Sequence, residues 1–336
     1  MAQTPAELRI GTRGSQLALW QANTVAAALA AAGAPRCRIV VIKTTGDQLQ
    51  DRPLSEVGGK RLFVKEIEDA LLRNDVDLAV HSSKDMPALL PDGLSIAGVL
   101  PREDPLDAVV LPVRAEGSSR AEGSGLSADA LRPQPLALDD FVALVGPTPS
   151  IGTGSVRRVA QLLKVFPHAR FANIRGNLDT RLRKLDAGDH QAIVLAAAGL
   201  RRLGFASRIS LTLPVDVCVP SPGQGIVAIE TRDDDVTTRE FVARISDDGA
   251  AAALAAERAV VETLGGGCQT PIGALASHID ASTIELVGAV ASLDGSRVIR
   301  ATARAVNADA VELGMRVGHE LIAKGASEIL AEVPGQ

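Results

Sequence analysis

The sequence predicts an α/β protein in which two α/β units precede a small α+β module. Three observations carry that prediction. Short β-branched or apolar runs alternate with helical patterns over the first hundred residues, and the alternation resumes after about residue 150. The last seventy residues change character, with consecutive strand patterns followed by one helix. At 336 residues, 46% hydrophobic and only −5 in net charge, the chain is too apolar for global disorder and too long for a single core.

Taken in order, Leu8 to Ile10 is a short strand, and Ser15 to Ala32 is an Ala-rich helix stopped by Gly33 and Pro35. Arg38 to Lys43 is a β-branched strand, Arg61 to Arg73 has helical periodicity, and Val76 to His81 is an apolar strand leading into Ser82, Ser83, Lys84 and Asp85. Residues 114–136 are rich in Gly, Ser and Pro, with a near-repeat of Arg-Ala-Glu-Gly, and read as a mobile surface insertion. The second unit follows: helix Ser155 to Phe166, strand Phe171 to Ile174, helix Asn177 to Asp186 and strand Ala192 to Ala196. Pro220-Ser-Pro-Gly-Gln-Gly introduces the strand Ile226 to Glu230, and Ala250 to Leu264 is a helix running into Gly265-Gly-Gly-Cys268. Strands Ile272 to His278, Thr283 to Ala291 and Arg297 to Ala305 precede a helix from Ala308 to Lys324.

Composition narrows the function classes. Aromatic residues make up 2% of the chain, with no Tyr and a single Trp, so nucleic-acid binding by stacking is not expected. No run of 18 apolar residues is present, and residues 1–8 carry no basic, hydrophobic signal region, so neither a membrane span nor export is expected. Cys37, Cys218 and Cys268 are far apart and lack metal-ligand spacing, which points to a reducing compartment, the cytoplasm, and to no metal. Charge is uneven. Residues 151–210 hold eleven Lys and Arg against three Asp, a local +8 that leaves −13 for the rest. Arg157 and Arg158 follow Gly152-Thr-Gly-Ser at a predicted helix start, and Arg175 follows a strand, so an anionic ligand with several negative groups is expected. The third glycine of a dinucleotide fingerprint is replaced by Arg157, which argues against a nicotinamide site.

Two further residues carry candidate chemistry. Asp85, just after an apolar strand in His81-Ser-Ser-Lys-Asp-Met-Pro87, is placed either to stabilise a cation at a sheet edge or simply to shape a turn. Cys268 sits after three glycines, outside any apolar stretch, and is open to either a covalent or a structural role. Cys37 and Cys218 read as buried structural thiols.

An ordered set of segments resembles the porphobilinogen deaminase (hydroxymethylbilane synthase) family. It runs from Arg9-Ile-Gly-Thr-Arg-Gly-Ser-Gln-Leu-Ala-Leu-Trp-Gln21 and Val57-Gly-Gly-Lys-Arg-Leu-Phe-Val-Lys-Glu66 through Val80-His-Ser-Ser-Lys-Asp-Met-Pro87 and Arg102-Glu-Asp-Pro-Leu-Asp-Ala108. It continues with Gly152-Thr-Gly-Ser-Val-Arg-Arg158, Ile174-Arg-Gly-Asn-Leu-Asp-Thr-Arg-Leu182, Leu195-Ala-Ala-Ala-Gly-Leu-Arg-Arg-Leu203 and Pro222-Gly-Gln-Gly225. It closes with Glu257-Arg-Ala and Gly266-Gly-Cys-Gln-Thr-Pro-Ile-Gly273. The resemblance implies a dipyrromethane cofactor covalently held by Cys268, on which four porphobilinogen molecules are joined head to tail with loss of ammonia before water releases hydroxymethylbilane. It implies that Asp85 is the catalytic aspartate, assisting deamination and stabilising a cationic azafulvene. It also implies cofactor contacts from Ser82, Lys84, Thr153, Ser155, Arg157, Arg158 and Gln224, and substrate contacts from Arg13, Ser15, Lys60, Arg175, Arg181 and Arg202. Arg183, Lys184 and Arg201 carry no such implication.

The fold it implies is two periplasmic-binding-protein-like α/β domains around a cleft plus a small α+β C-terminal domain. Residues 6–103 with 222–246 then form domain 1, residues 104–221 domain 2 with the insertion 114–136, and residues 247–336 domain 3. The expected partner is porphobilinogen, with no nucleic acid, no membrane and a monomeric state. The chain departs from the family pattern in the longer segment 114–136 and in Glu56, where many members have Lys. The rival expectation is a two-domain solute-binding protein for a polyanionic small molecule that does no chemistry.

Overall fold

A computed structural model describes residues 6–48, 64–113, 136–267 and 270–333. Lys60, Glu56, Cys268 and all of the 114–136 insertion but its last residue lie outside them.

The first sheet is built from β1 (Glu7–Thr12), β2 (Arg36–Val41), β3 (Leu78–Ser82), β4 (Leu94–Val99) and β10 (Val227–Arg232), in the order β2-β1-β3-β10-β4. β1 pairs in parallel with β2 and β3, whereas β10 runs antiparallel between β3 and β4. The second sheet joins β5 (Asp107–Val110), β6 (Ser150–Gly152), β7 (Arg170–Ala172), β8 (Ala192–Ala196) and β9 (Leu211–Thr212), in the order β7-β6-β8-β5-β9. Here β6 is parallel to β7 and β8, and β5 is antiparallel to β8 and β9. Each sheet is therefore mixed, because the chain leaves the first sheet after β4, enters the second at β5, and returns to the first only at β10. The C-terminal sheet, β11 (Ile272–His278), β12 (Thr283–Ala291) and β13 (Val298–Val306), is an antiparallel meander.

The helices follow from capping and patterning. α1 (Gln16–Ala31) starts at Ser15, whose hydroxyl accepts from the Ala18 N–H at 3.3 Å, and it buries Ala22, Val25 and Leu29 against β1 and β3. α2 (Thr45–Gln48) is a single turn, and the predicted helix of 61–73 is described as α3 (Lys65–Leu72), which packs Ile67 and Leu71 on the opposite face of the same sheet. α4 (Leu138–Val145), α5 (Val156–Leu162), α6 (Leu178–Asp186) and α7 (Ala197–Arg202) cover the second sheet. α5 is shorter than the Ser155 to Phe166 pattern predicts, its chain turning at Leu163 so that Phe166 can pack edge-on against Phe141 at 5.6 Å. α8 (Val236–Ala243) lies on the first sheet. α9 (Asp248–Thr263), α10 (Ala310–Ala323) and α11 (Ala326–Ala331) pack on the meander, with Val260, Leu286, Leu313, Val317 and Leu321 in one core. Asp247 caps α9, accepting from the Ala250 N–H at 2.7 Å.

The two crossovers between the α/β sheets are tied to each other. The Glu103 N–H donates to the Gly225 carbonyl at 3.0 Å, and Gly225 has φ +87° with space for no side chain, since a Cβ there would stand 2.2 Å from the Glu103 oxygen. Both crossovers dock on the C-terminal domain through Glu257 of α9. Its buried carboxylate accepts from Arg102 Nη1 at 2.6 Å, from the Gly223 N–H at 2.6 Å and from the Ala276 N–H at 2.7 Å.

Candidate active site

Asp85 ends a 3-10 turn, Ser83–Asp85, at the C-terminal end of β3. Placement at a strand's carboxyl end is where open α/β sheets present ligand-facing groups. Its carboxylate shares a pocket with Arg13, Ser15, Gln21, His81 and Ser82. The Ser82 hydroxyl is held by Gln21, whose Nε2 lies 2.9 Å away. Behind them His81 Nε2 meets the buried Glu230 carboxylate at 3.0 Å.

Lys84 bridges the two α/β domains. Its Nζ donates to Gln224 Oε1 at 3.2 Å, and Gln224, fully buried on the return crossover, donates through Nε2 to Pro105 O at 2.7 Å and to Asp107 Oδ1 at 2.9 Å. Burial pushes the Lys84 ammonium down to about 8, with the Asp85 charge opposing the shift. Arg181, on α6, is lowered to about 10 by burial and by Arg158, while Asp85 again acts in the other direction. These mutual influences put Lys84 and Asp85 of the first domain within electrostatic reach of Arg158 and Arg181 of the second. Arg181 Nε donates to the Gly176 carbonyl at 2.8 Å, and among the described residues no carboxylate pairs with Arg181 or Arg175.

Asp107, at the start of β5, is the buried charged residue of this region that the sequence reading did not single out. Fully buried, it accepts from Arg157 Nη1 at 2.7 Å and from Arg158 Nη2 at 2.8 Å. Burial alone would raise its carboxyl, but the two guanidiniums hold it far below the usual carboxylate range. The signal was present in Arg102-Glu-Asp-Pro-Leu-Asp-Ala108, but nothing local in that segment reveals that two arginines fifty residues on converge there.

That pairing shows how two arginines of the +8 segment are held. Arg157 and Arg158 are almost fully buried and bind Asp107, Arg157 also donating to Val219 O and Arg158 to Val194 O. Arg201 pairs with Asp104 at 3.2 Å and Arg208 with Asp186 at 2.7 Å. Asp107 and Asp104 thus supply two negative charges to the segment from outside it. Arg183 is exposed, and Lys184 donates to the Arg175 carbonyl. Ser155 spends its hydroxyl on capping α5, accepting from the Arg158 N–H, and Thr153 Oγ1 accepts from the Ser155 N–H at 3.3 Å. Arg202 donates to Gly225 O at 2.7 Å and lies over the Trp20 ring at 5.5 Å, joining α7 to α1 across the two domains. Cys218 is buried as expected but in polar company: its thiol lies 3.4 Å from Asp107 Oδ2 and is pushed up to about 12 by burial and by that carboxylate.

Comparison with known proteins gives the family. Residues 8–240 match the family model described as porphobilinogen deaminase, dipyromethane cofactor binding domain, and residues 251–323 match its C-terminal domain. The chain belongs to the porphobilinogen deaminase family. It is 45% identical over 327 residues to the porphobilinogen deaminase of Syntrophobacter fumaroxidans, covering 97% of each chain. It is 44% identical over 330 residues to that of Acidithiobacillus ferrooxidans, covering 98% of this chain and 99% of the relative. Among solved structures, the VFT2 domain of Bordetella pertussis BvgS aligns with 73% of this chain and 91% of its own at 14% identity and a TM-score of 0.38. Family membership favours the deaminase reading over a solute-binding protein without chemistry, and it brings the dipyrromethane cofactor with it. The donor set suits that group. Dipyrromethane carries acetate and propionate carboxylates on two pyrroles, and the site offers Lys84, Arg175, Arg181 and hydroxyls around one carboxylate that can face the ring nitrogens. Among the described residues no helix is long and apolar enough to cross a membrane.

Proposed function

We propose that this chain is a hydroxymethylbilane synthase, polymerising four porphobilinogen molecules with loss of ammonia and releasing the linear tetrapyrrole by hydrolysis. The observation that carries the reading is the place of Asp85, which lines a pocket with Arg13, Ser15 and Ser82 and lies within electrostatic reach of Lys84 and of Arg181 from the second α/β domain. The dipyrromethane group, bound through Cys268, supplies the nucleophilic pyrrole carbon to which the first substrate is joined.

Asp85 accepts hydrogen bonds from pyrrole N–H groups and sits against the positive charge that spreads over the substrate ring as its C–N bond breaks and ammonia leaves. Once the new carbon–carbon bond has formed, the same carboxylate helps to remove the proton left on the ring carbon. Arg13, Ser15, Lys60, Arg175, Arg181 and Arg202 hold substrate and product carboxylates, and Lys84, with Ser82, Thr153, Ser155 and Gln224, faces the cofactor. Arg157 and Arg158 act through Asp107-anchored positions, so their contribution to anion binding is a fixed field more than a flexible clasp. The working form is a cytoplasmic monomer whose partner is porphobilinogen, without nucleic acid or membrane.

The test is the intact mass of the purified, folded protein. A mass exceeding the bare chain by one dipyrromethane, abolished by Cys268→Ala, is expected. A bare-chain mass in turnover-competent protein overturns the reading.

A further inference from the structure

We propose that Asp107 is a positioning residue that aims the Gln224 amide at Lys84, so that one domain's buried carboxylate fixes the charged group standing beside Asp85 in the other. The proposal rests on the reading of Lys84 as an anion-holding group given above.

An amide side chain presents a donor at one end and an acceptor at the other, and its orientation follows from its partners. Gln224 is fully buried and has two acceptors at one end, Pro105 O at 2.7 Å and Asp107 Oδ1 at 2.9 Å. Both demand the NH2 group. The amide oxygen is left facing Lys84 Nζ, 3.2 Å away, which has only donors to offer. The orientation is enforced because Asp107 cannot become a donor: Arg157 and Arg158 keep it ionised, as its strong downward displacement shows. The backbone supports the same geometry, with Arg102 Nε donating to the Gln224 carbonyl at 2.9 Å.

The consequence falls on Lys84. Its ammonium feels Arg157 and Arg158 against it and Asp85 and Asp107 in its favour, and burial already brings it down to about 8. An amide at position 107 removes one of the two anions. It also weakens one of the two acceptors that fix the Gln224 NH2, leaving Pro105 O to hold the amide and its Oε1 less firmly set against the ammonium. With one anion lost and that acceptor loosened, the neutral amine gains. A tenfold loss of proton affinity would leave Lys84 about half uncharged near neutral pH, and an uncharged amine does not hold a carboxylate.

The experiment uses the full-length protein carrying its cofactor, with lysines labelled by reductive 13C-methylation and the Lys84 signal identified by its loss in K84R. In the parent protein that signal should titrate below the ordinary lysine range, because burial lowers it. In Asp107→Asn and in Gln224→Met, the second keeping length without polar atoms, it should titrate at least tenfold lower in proton affinity, and the alkaline limb of turnover should move with it. Unchanged Lys84 titration in Gln224→Met overturns the proposal, as does a variant Asp107→Asn that melts lower but leaves Lys84 unmoved. Should Asp107→Asn fail to fold, Gln224→Met decides. A parent protein lacking the dipyrromethane mass would sink the functional reading instead, and the Lys84 titration would still judge the positioning.

Discussion

Glu257→Gln tests how the C-terminal domain is fastened to the two crossovers. Oε1 accepts from Arg102 Nη1 at 2.6 Å and from the Ala276 N–H at 2.7 Å; Oε2 accepts from the Gly223 N–H at 2.6 Å and from Arg102 Nη2 at 3.3 Å. The carboxylate has no solvent exposure, and every partner is a donor. Whichever oxygen the substitution turns into NH2, a new donor is set against a buried backbone N–H and against the guanidinium. An unsatisfied buried donor costs about 1–3 kcal/mol, and removal of one partner from a buried ion pair costs roughly 3–5 kcal/mol in all. A loss of about 4 kcal/mol is expected. With an unfolding entropy near 2.1 cal/mol/K per residue, 336 residues give about 0.7 kcal/mol/K, so Tm should fall by about 6 °C if the three domains melt as one unit. The fall is larger if the C-terminal domain melts by itself. Differential scanning calorimetry reads both the shift and the number of transitions. A Tm within about 1 °C of the parent would refute the reasoning, because no rearrangement of a glutamine can satisfy all four donors.

Three other substitutions or probes address the site. Asp85→Asn preserves shape and should leave the Tm and the cofactor mass intact while turnover falls by about 10²–10⁴-fold; near-normal turnover contradicts the role assigned to the carboxylate. Arg202→Ala removes the cation stacked on Trp20, and because the chain has one Trp and no Tyr, its emission should shift to the red; an identical spectrum would show that the stack does not persist in solution. Cys218, whose thiol is raised to about 12, should resist iodoacetamide at pH 8 in the native protein and react once the chain is unfolded in urea, as followed by peptide mass. Native labelling at that position would contradict the buried Asp107–Cys218 contact.

The regular elements were largely legible because their signals are local. β8 (Ala192–Ala196), β11 and β12 coincide with their apolar runs, and Ser15 and Gly33 bound α1 as capping chemistry requires. The omissions share a cause. β5, β6 and β9 are short, β4 breaks its apolar run with Ser95 and Gly98, α7 continues the apolar run of β8 without a break, and α8 carries little periodicity, so tertiary pairing rather than pattern decides them. The antiparallel placement of β10 was equally out of reach. Its pattern is that of any buried strand, and its direction is set by a return crossover more than a hundred residues after β4.

The arginines show where reading by charge stops. A count of basic residues treats each cation as available, yet availability depends on which carboxylates the fold brings near. Asp107 takes Arg157 and Arg158 across fifty residues, whereas Arg175 and Arg181 meet no carboxylate among the described residues. The distinction has a physical purpose. A buried guanidinium without a counter-ion is costly, so the buried Arg157 and Arg158 need the anion they share, while the half-buried Arg175 and Arg181 can await the ligand's own carboxylate. Asp107 meets the first requirement for two arginines at once and, through Gln224, reaches the lysine next to Asp85. The resulting site holds positive charge of two kinds, Arg157 and Arg158 fixed on a carboxylate and Arg175 and Arg181 left to the ligand's own. That division suits a product that gains carboxylates with every addition and must still be released.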